Sequence, residues 1–543
     1  MTSIFPKPIL AISSALLFMG CGATALVSTP IENIDTIPTK ITDLTEYEKN
    51  NWGHLDLVSD TIPGMSVNKA YTDIIGTKKG KKIIVAVIDS GIDLKHEDLD
   101  DVLWTNKGEK AGDGIDNDNN GYVDDIHGYN FLGESYNEQL EVTRIVKLKL
   151  GDAALQAKAK TKVDSEYGTA AQNKLQYEQF LQAVKNADEG LKKELKKSDY
   201  TKEEVSAIKP TSEAMQQNVG IALQAYSYAE SLPAFAKLLE EGITHFSDQA
   251  NYNYNVNFEG RKVVGDNPYD INDTNYGDGN PQIRVEDESH GTHVAGIIAA
   301  ERNNGKGVNG VANNVAIMSI RAVPNGDEYD KDIALGIRYA VDNGAKIING
   351  SFGKSYSPKA QWVYDAIKYA AEKDVLFVHA AGNDGADLDD PSNPNFPNDQ
   401  IDNGPEMAGN VITVGALNPK YGGELLAEYS NYGKINVDIF APGTDIYSTF
   451  PNNEYEHSPG TSMASPAVAG IAAVIWSQYP NLKAAQVKKI ILESGLSPMA
   501  KVLLGGEAGK TASLQEISTT GKIANLYNAL ILAESVSSGK IKI

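Results

Sequence analysis

Ile83-Ile84-Val85-Ala86-Val87-Ile88-Asp89-Ser90-Gly91 is an apolar, largely β-branched run that stops abruptly at an acid, a serine and a glycine. Polar and apolar positions do not alternate along it, so both faces of the strand it forms must be buried. That is the mark of a parallel strand covered by helices on both sides. Asp89 then stands at the strand's carboxyl end, the edge where open α/β sheets build their sites. Taken alone, such an acid serves equally well as a cap for the next element.

The same pattern recurs downstream. Strands are read at 315–323, 345–350, 375–380, 411–416 and 439–443, with helices at 332–343 and 359–373 between them. This alternation predicts an α/β fold with a doubly wound, mostly parallel sheet. One interval breaks it. From 136 to 250 the chain is rich in Ala, Lys, Glu, Gln and Leu and has no strand-like run. Tyr177, Phe180, Leu181 and Val184 follow helical spacing, as do Val219, Ala222, Leu223 and Tyr226; an all-helical insertion is expected there.

Of the 543 residues, Lys and Arg number 49 against 72 Asp and Glu, a net charge of −23 that argues against a nucleic-acid partner. The sole cysteine, Cys21, excludes an intrachain disulfide. Before it come Lys7, an apolar run over 9–19 and Gly20. This is the layout of a signal peptide over 1–20, too short to span a bilayer permanently. Leu17-Phe18-Met19-Gly20-Cys21 resembles a bacterial lipobox, although Phe18 and Met19 are bulky for one. The resemblance implies export and a lipid on Cys21, holding the chain to a bacterial membrane on its exterior or periplasmic side. A plain secretory signal is the alternative. Residues 21–70 read as a lipidated tether or N-terminal segment.

Asp116, Asp118 and Asn120 place oxygen side chains at alternate positions ahead of Gly121, the opening of a calcium loop. Tyr122 would offer its carbonyl, and Asp124 falls on the ninth place. The twelfth is His127 instead of a bidentate Glu, so a structural Ca²⁺ is expected in a loop that is EF-hand-like without the helix pair.

Two further stretches carry chemistry. Asp287-Glu288-Ser289-His290-Gly291-Thr292-His293 leads into a small-residue helix, and Ser458-Pro459-Gly460-Thr461-Ser462 delivers a serine to the start of another. The spacing of His290 and His293 lacks the intervening Glu and four-residue step of a zinc-protease motif. A serine hydroxyl is a weak nucleophile at neutral pH, and imidazole is the base suited to it. A carboxylate on the far ring nitrogen fixes the tautomer. Asn383, in the Gly-flanked turn after a strand, can give an amide donor to an oxyanion beside the Ser462 N–H. The order Asp89, His290, Ser462 differs from that of α/β-hydrolases and of chymotrypsin-like enzymes.

Val87-Ile88-Asp89-Ser90-Gly91, His290-Gly291-Thr292-His293-Val294-Ala295-Gly296, Ala380-Ala381-Gly382-Asn383-Asp384-Gly385 and Gly460-Thr461-Ser462-Met463-Ala464-Ser465-Pro466 together resemble the motifs of subtilisin-like serine proteases, the subtilases. The resemblance covers roughly 70–135 and 255–535. It implies peptide-bond hydrolysis through an acyl-enzyme, with Asp89 orienting, His290 as base, Ser462 as nucleophile and Asn383 as oxyanion donor. It also implies that Ser351, Phe352, Gly353, Ala380, Ala381 and Gly382 bind polypeptide substrates. No charge lies in those segments, so an apolar or aromatic preference is expected. Asp98 matches a position that often ligates calcium, but the loop that completes such a site is not recognisable. A monomer is expected. The competing readings are a catalytically silent surface binding protein on the same fold and a serine esterase. The resulting division is 1–20, 21–70, a first catalytic part over 71–135, the helical insertion over 136–250 and a second catalytic part over 251–543.

Overall fold

The computed structural model describes residues 28–543, so the signal peptide and Cys21 lie outside it. Seven parallel strands form the main sheet: β1 (Ile83–Asp89), β2 (Gly128–Asn130), β3 (Val315–Arg321), β4 (Ile347–Gly350), β5 (Leu376–Ala380), β6 (Val411–Leu417) and β7 (Ile439–Pro442), in the order β2-β3-β1-β4-β5-β6-β7. Along β1, Ile83, Val85 and Val87 pack against the helices His290–Ala299 and Thr461–Gln478, while Ala86 and Ile88 pack against Asp330–Asp342 and Ala360–Glu372. The sheet is therefore doubly wound, as the unbroken apolar run of β1 requires. After β3 the chain crosses to the other side of β1 to form β4, and such a crossover opens a crevice at the carboxyl ends of the strands.

β2 escaped the sequence reading because three residues carry no periodicity. Gly128 makes it possible: its φ is +132°, and a Cβ there would lie 1.7 Å from the Ser319 carbonyl oxygen.

Between β2 and the histidine helix, the helices Ala153–Leu195, Glu213–Ala225 and Leu232–Asp248 pack around Val184, Leu191, Ala222, Leu232, Phe235 and Leu239, while Glu141–Leu148 packs on the start of the long helix through Val142, Ile145, Ala159 and Val163. The longest has 43 residues and runs about 65 Å at 1.5 Å per residue. Entry and exit lie side by side: the Leu140 N–H donates to the Asn253 carbonyl at 3.0 Å, and Thr143 Oγ1 to the same oxygen at 2.7 Å. With its ends joined, so long an excursion costs the core little loop-closure entropy.

One expectation needs correction. The segment read as a tether is part of the packed body from Ile31 onward. The Ile31 N–H donates to Asn528 Oδ1 at 2.8 Å, and Ile34, Trp52, Leu55, Leu57 and Ile62 share a core with Phe440 and Leu514. Its Thr/Pro/Asp-rich opening hid apolar residues too widely spaced to register as an element. Pro466 is the sixth residue of the serine helix. It therefore removes a donor from an interior hydrogen bond, the one owed to the Ser462 carbonyl. Ser351 Oγ donates to that oxygen instead, at 2.9 Å.

Candidate active site

Asp89 is 1% exposed at the end of β1. Its Oδ1 accepts the Ser90 N–H at 2.7 Å and His290 Nδ1–H at 2.8 Å. A carboxylate only accepts, so the ring proton sits on Nδ1 and the lone pair on Nε2. The approach depends on Gly291, where a Cβ would come within 2.1 Å of the Gly91 carbonyl oxygen. Burial disfavours protonated His290, but the charge and hydrogen bond of Asp89 outweigh it, and the imidazole pKa rises. His293 belongs to the frame. Its Nε2–H donates to the Ile446 and Glu456 carbonyls at 3.0 and 3.1 Å, and burial holds its pKa down at about 4.

Ser462 is the second residue of its helix, so its N–H has no partner within the helix. Its Oγ donates to the Ser351 carbonyl at 3.3 Å. Asn383 Oδ1 accepts both the N–H and the Oγ1–H of Thr461 at 2.9 Å, which aims the amide so that Nδ2 remains as a donor in the cleft shared with Ser462. Thr461 Oγ1 also accepts the Gly382 N–H at 3.0 Å. Asn431 clamps the same turn: Nδ2 donates to the Ala381 carbonyl at 2.9 Å, and Oδ1 accepts the Asp384 and Ala386 N–H groups at 3.0 and 2.9 Å. Sequence reasoning passed over Thr461 and Asn431. Thr461 adjoins the nucleophile and was open to notice, whereas Asn431 lies in a distant loop with no motif around it.

Of the six residues assigned to substrate, Ser351, Phe352, Gly353, Ala380 and Gly382 line the cleft. Ala381 does not; its side chain is in the core, because side chains alternate along the extended segment leaving β5. The cleft is also less apolar than expected. Asp327, Glu328 and Lys354 line it, together with Leu140, Lys158 and Lys162 from the insertion. Lys354 is buried against Glu141 and Asp330, at 3.3 and 2.9 Å. Arg144 holds Glu141 at 2.5 Å and the Asp327 and Glu328 carbonyls at 2.9 and 3.2 Å. Burial, reinforced by Asp327 and opposed by Lys354, pushes the Glu328 carboxyl up to about 7.

The structure regroups the acidic loop. Among the described residues, Glu109, Asp118 and Asp125 bring carboxylate oxygens within 4.8 Å of one another. Asn106 Nδ2 bridges Asp118 and Asp125 at 2.9 Å to each, and burial raises Asp125 to about 6. An all-oxygen donor set of this kind suits a hard cation. The other expected ligands serve the loop itself. Asp116 accepts the Asn120 and Gly121 N–H groups, and Asn120 Oδ1 that of Tyr122. Asp124 accepts those of Gly112, Asp113 and Gly114, and the Tyr122 ring packs edge-on against Tyr129 and Tyr339. The loop facing Asp98 is now identifiable: Asn304 Nδ2 donates to it at 2.6 Å and the Val308 N–H at 3.1 Å.

The model of the Subtilase family matches residues 80–517. The chain belongs to the subtilase family. Among subtilases, a thermophilic serine proteinase of Bacillus sp. (strain AK1) is 42% identical over 228 residues, 41% of this chain and 49% of that protein. A cell wall-associated protease of Bacillus subtilis (strain 168) is 38% identical over 225 residues, 41% of this chain and 23% of that protein. Thermitase of Thermoactinomyces vulgaris is 35% identical over 268 residues, 49% of this chain and 83% of thermitase. The chain thus spans about half the length of the first relative and under a quarter of the second.

Proposed function

We propose that this subtilase is an exported serine endopeptidase that cleaves polypeptides through an acyl-enzyme. Two observations carry the reading: the Asp89–His290 hydrogen bond at the carboxyl end of β1, and a cleft lined by both Ser462 and Asn383. In this reading the Ser462 hydroxyl turns from Ser351 to His290 Nε2 and gives up its proton as Oγ attacks the substrate carbonyl. The Ser462 N–H and Asn383 Nδ2 receive the oxyanion. The imidazolium, stabilised by Asp89, returns the proton to the departing amine, and water repeats the sequence on the ester.

The names of two relatives, a serine proteinase and a cell wall-associated protease, support the class, and the second supports export. The lipid on Cys21 and the division of the chain at 135 and 250 belong to the same proposal. So does a structural Ca²⁺ held by Glu109, Asp118 and Asp125, where it would neutralise crowded carboxylates. A fluorophosphonate is expected to label the protein, and Ser462→Ala to abolish both labelling and peptide hydrolysis. Unlabelled wild-type protein, or a variant that still turns over peptides, overturns the reading.

A further inference from the structure

The helical insertion does more than pass near the cleft. Leu140 and Val142 line the cleft beside the Ser351–Gly353 edge, and Lys158 and Lys162 extend the same wall from the long helix. Buried Ala159 and Val163 dock that helix together with Val142, Ile145 and Tyr356. The two lysines are one helical turn apart and sit next to the docked stripe, so they share a face over the cleft. The Lys162 ammonium lies 5.8 Å from the centre of the Tyr356 ring.

The other cation along this cleft is already paired, and its carboxylates accept hydrogen bonds or are buried. Lys354 is paired with Glu141 and Asp330. Asp327 accepts the Glu141 N–H at 2.7 Å, Glu328 is 3% exposed, and Asp384 accepts from Asn431 at 3.3 Å. Lys158 and Lys162 have no carboxylate partner among the described residues and are exposed. On a chain of net charge −23, two unpaired cations over the substrate edge stand out electrostatically.

We propose that Lys158 and Lys162 determine specificity, selecting polypeptides with acidic side chains in the segment laid along the Ser351–Gly353 edge. The proposal rests on the endopeptidase reading. Two exposed cations acting together at partly screened distance give about a tenfold preference, and the preference shrinks with salt.

The test is a set of fluorogenic peptides with Glu, Ala or Lys at the positions preceding a common cleavage point, run on the folded protein beside fluorophosphonate labelling. For the wild type, kcat/KM is expected to be about tenfold higher with Glu than with Lys at low salt. The ratio should fall to within about twofold of unity in K158A/K162A, and invert in K158E/K162E. Both positions are exposed, so these variants retain the fold; thermal melting verifies it. A labelled, active enzyme with equal rates on all three peptides overturns this proposal alone, as does a preference unmoved by the substitutions. No labelling and no hydrolysis of any peptide overturns the endopeptidase reading and this proposal with it.

Discussion

Asp89 governs the site through a single hydrogen bond to His290. In the proposed mechanism His290 can accept the Ser462 proton only when neutral, and Asp89 raises its pKa above the ordinary 6.5. The protonated, inactive form therefore persists to higher pH than in a free imidazole. kcat/KM is expected to rise with pH through a value above 6.5, measured on a neutral peptide; a rising limb below 6.5 speaks against the pairing. Asp89→Asn should lower kcat about 10⁴-fold, the loss known for the corresponding change in a serine-protease triad, and shift the limb to lower pH. The raised pKa also stabilises the fold. That contribution is complete below the unfolded-state pKa and fades as pH climbs through the folded value.

At the scale of elements, the N-terminal segment acts as a brace. Trp52 is 1% exposed, and its Nε1–H donates to the Thr444 carbonyl at 2.9 Å. The adjoining Gly443 carbonyl accepts the N–H of Gly460, the residue at the head of the serine helix. Trp52→Ala removes a buried aromatic and leaves a carbonyl without its donor, so a loss of about 3–5 kcal/mol is expected from denaturant unfolding. A loss under about 1 kcal/mol would show that the segment is only draped on the surface. The acidic loop is tested by chelation. If Glu109, Asp118 and Asp125 hold Ca²⁺, adding the ion at about 100 times its Kd stabilises the fold by about 2.7 kcal/mol. Asp125→Asn together with Glu109→Gln should remove the response of the melting temperature to EDTA. Equal EDTA sensitivity in that variant would place any bound cation elsewhere.

The whole molecule is a doubly wound sheet with a helical body fastened over one end of its cleft. The fastening is ionic and buried, through Glu141, Arg144 and Lys354, and breaking one member of such a group costs about 3–5 kcal/mol. Excising 140–252 and joining the flanks with a short linker would leave Lys354 without Glu141 and open the cleft wall. The variant is expected to be less heat-stable and to cleave folded protein substrates faster relative to small peptides. An unchanged ratio of protein to peptide turnover would remove the insertion from substrate control.

Much of this was legible in the residues. β1 announced a buried parallel strand because burial on both faces demands an unbroken apolar run, and the motifs around Asp89, His290, Asn383 and Ser462 are local in the chain. Helical spacing likewise marked the helices Ala153–Leu195 and Glu213–Ala225. Tertiary structure alone decided what depends on distant residues meeting. Asn431 clamps the Ala381 turn, and Ser351 replaces the donor missing at Pro466; Glu109 and Asp125 are near Asp118 in the chain, but no ligand-spacing motif marks them. Tertiary packing also turned the supposed tether into core and set Lys158 and Lys162 over the cleft. Periodicity and motifs report what a residue's own neighbours require, whereas these contacts join segments up to several hundred residues apart, and only the folded backbone brings them together.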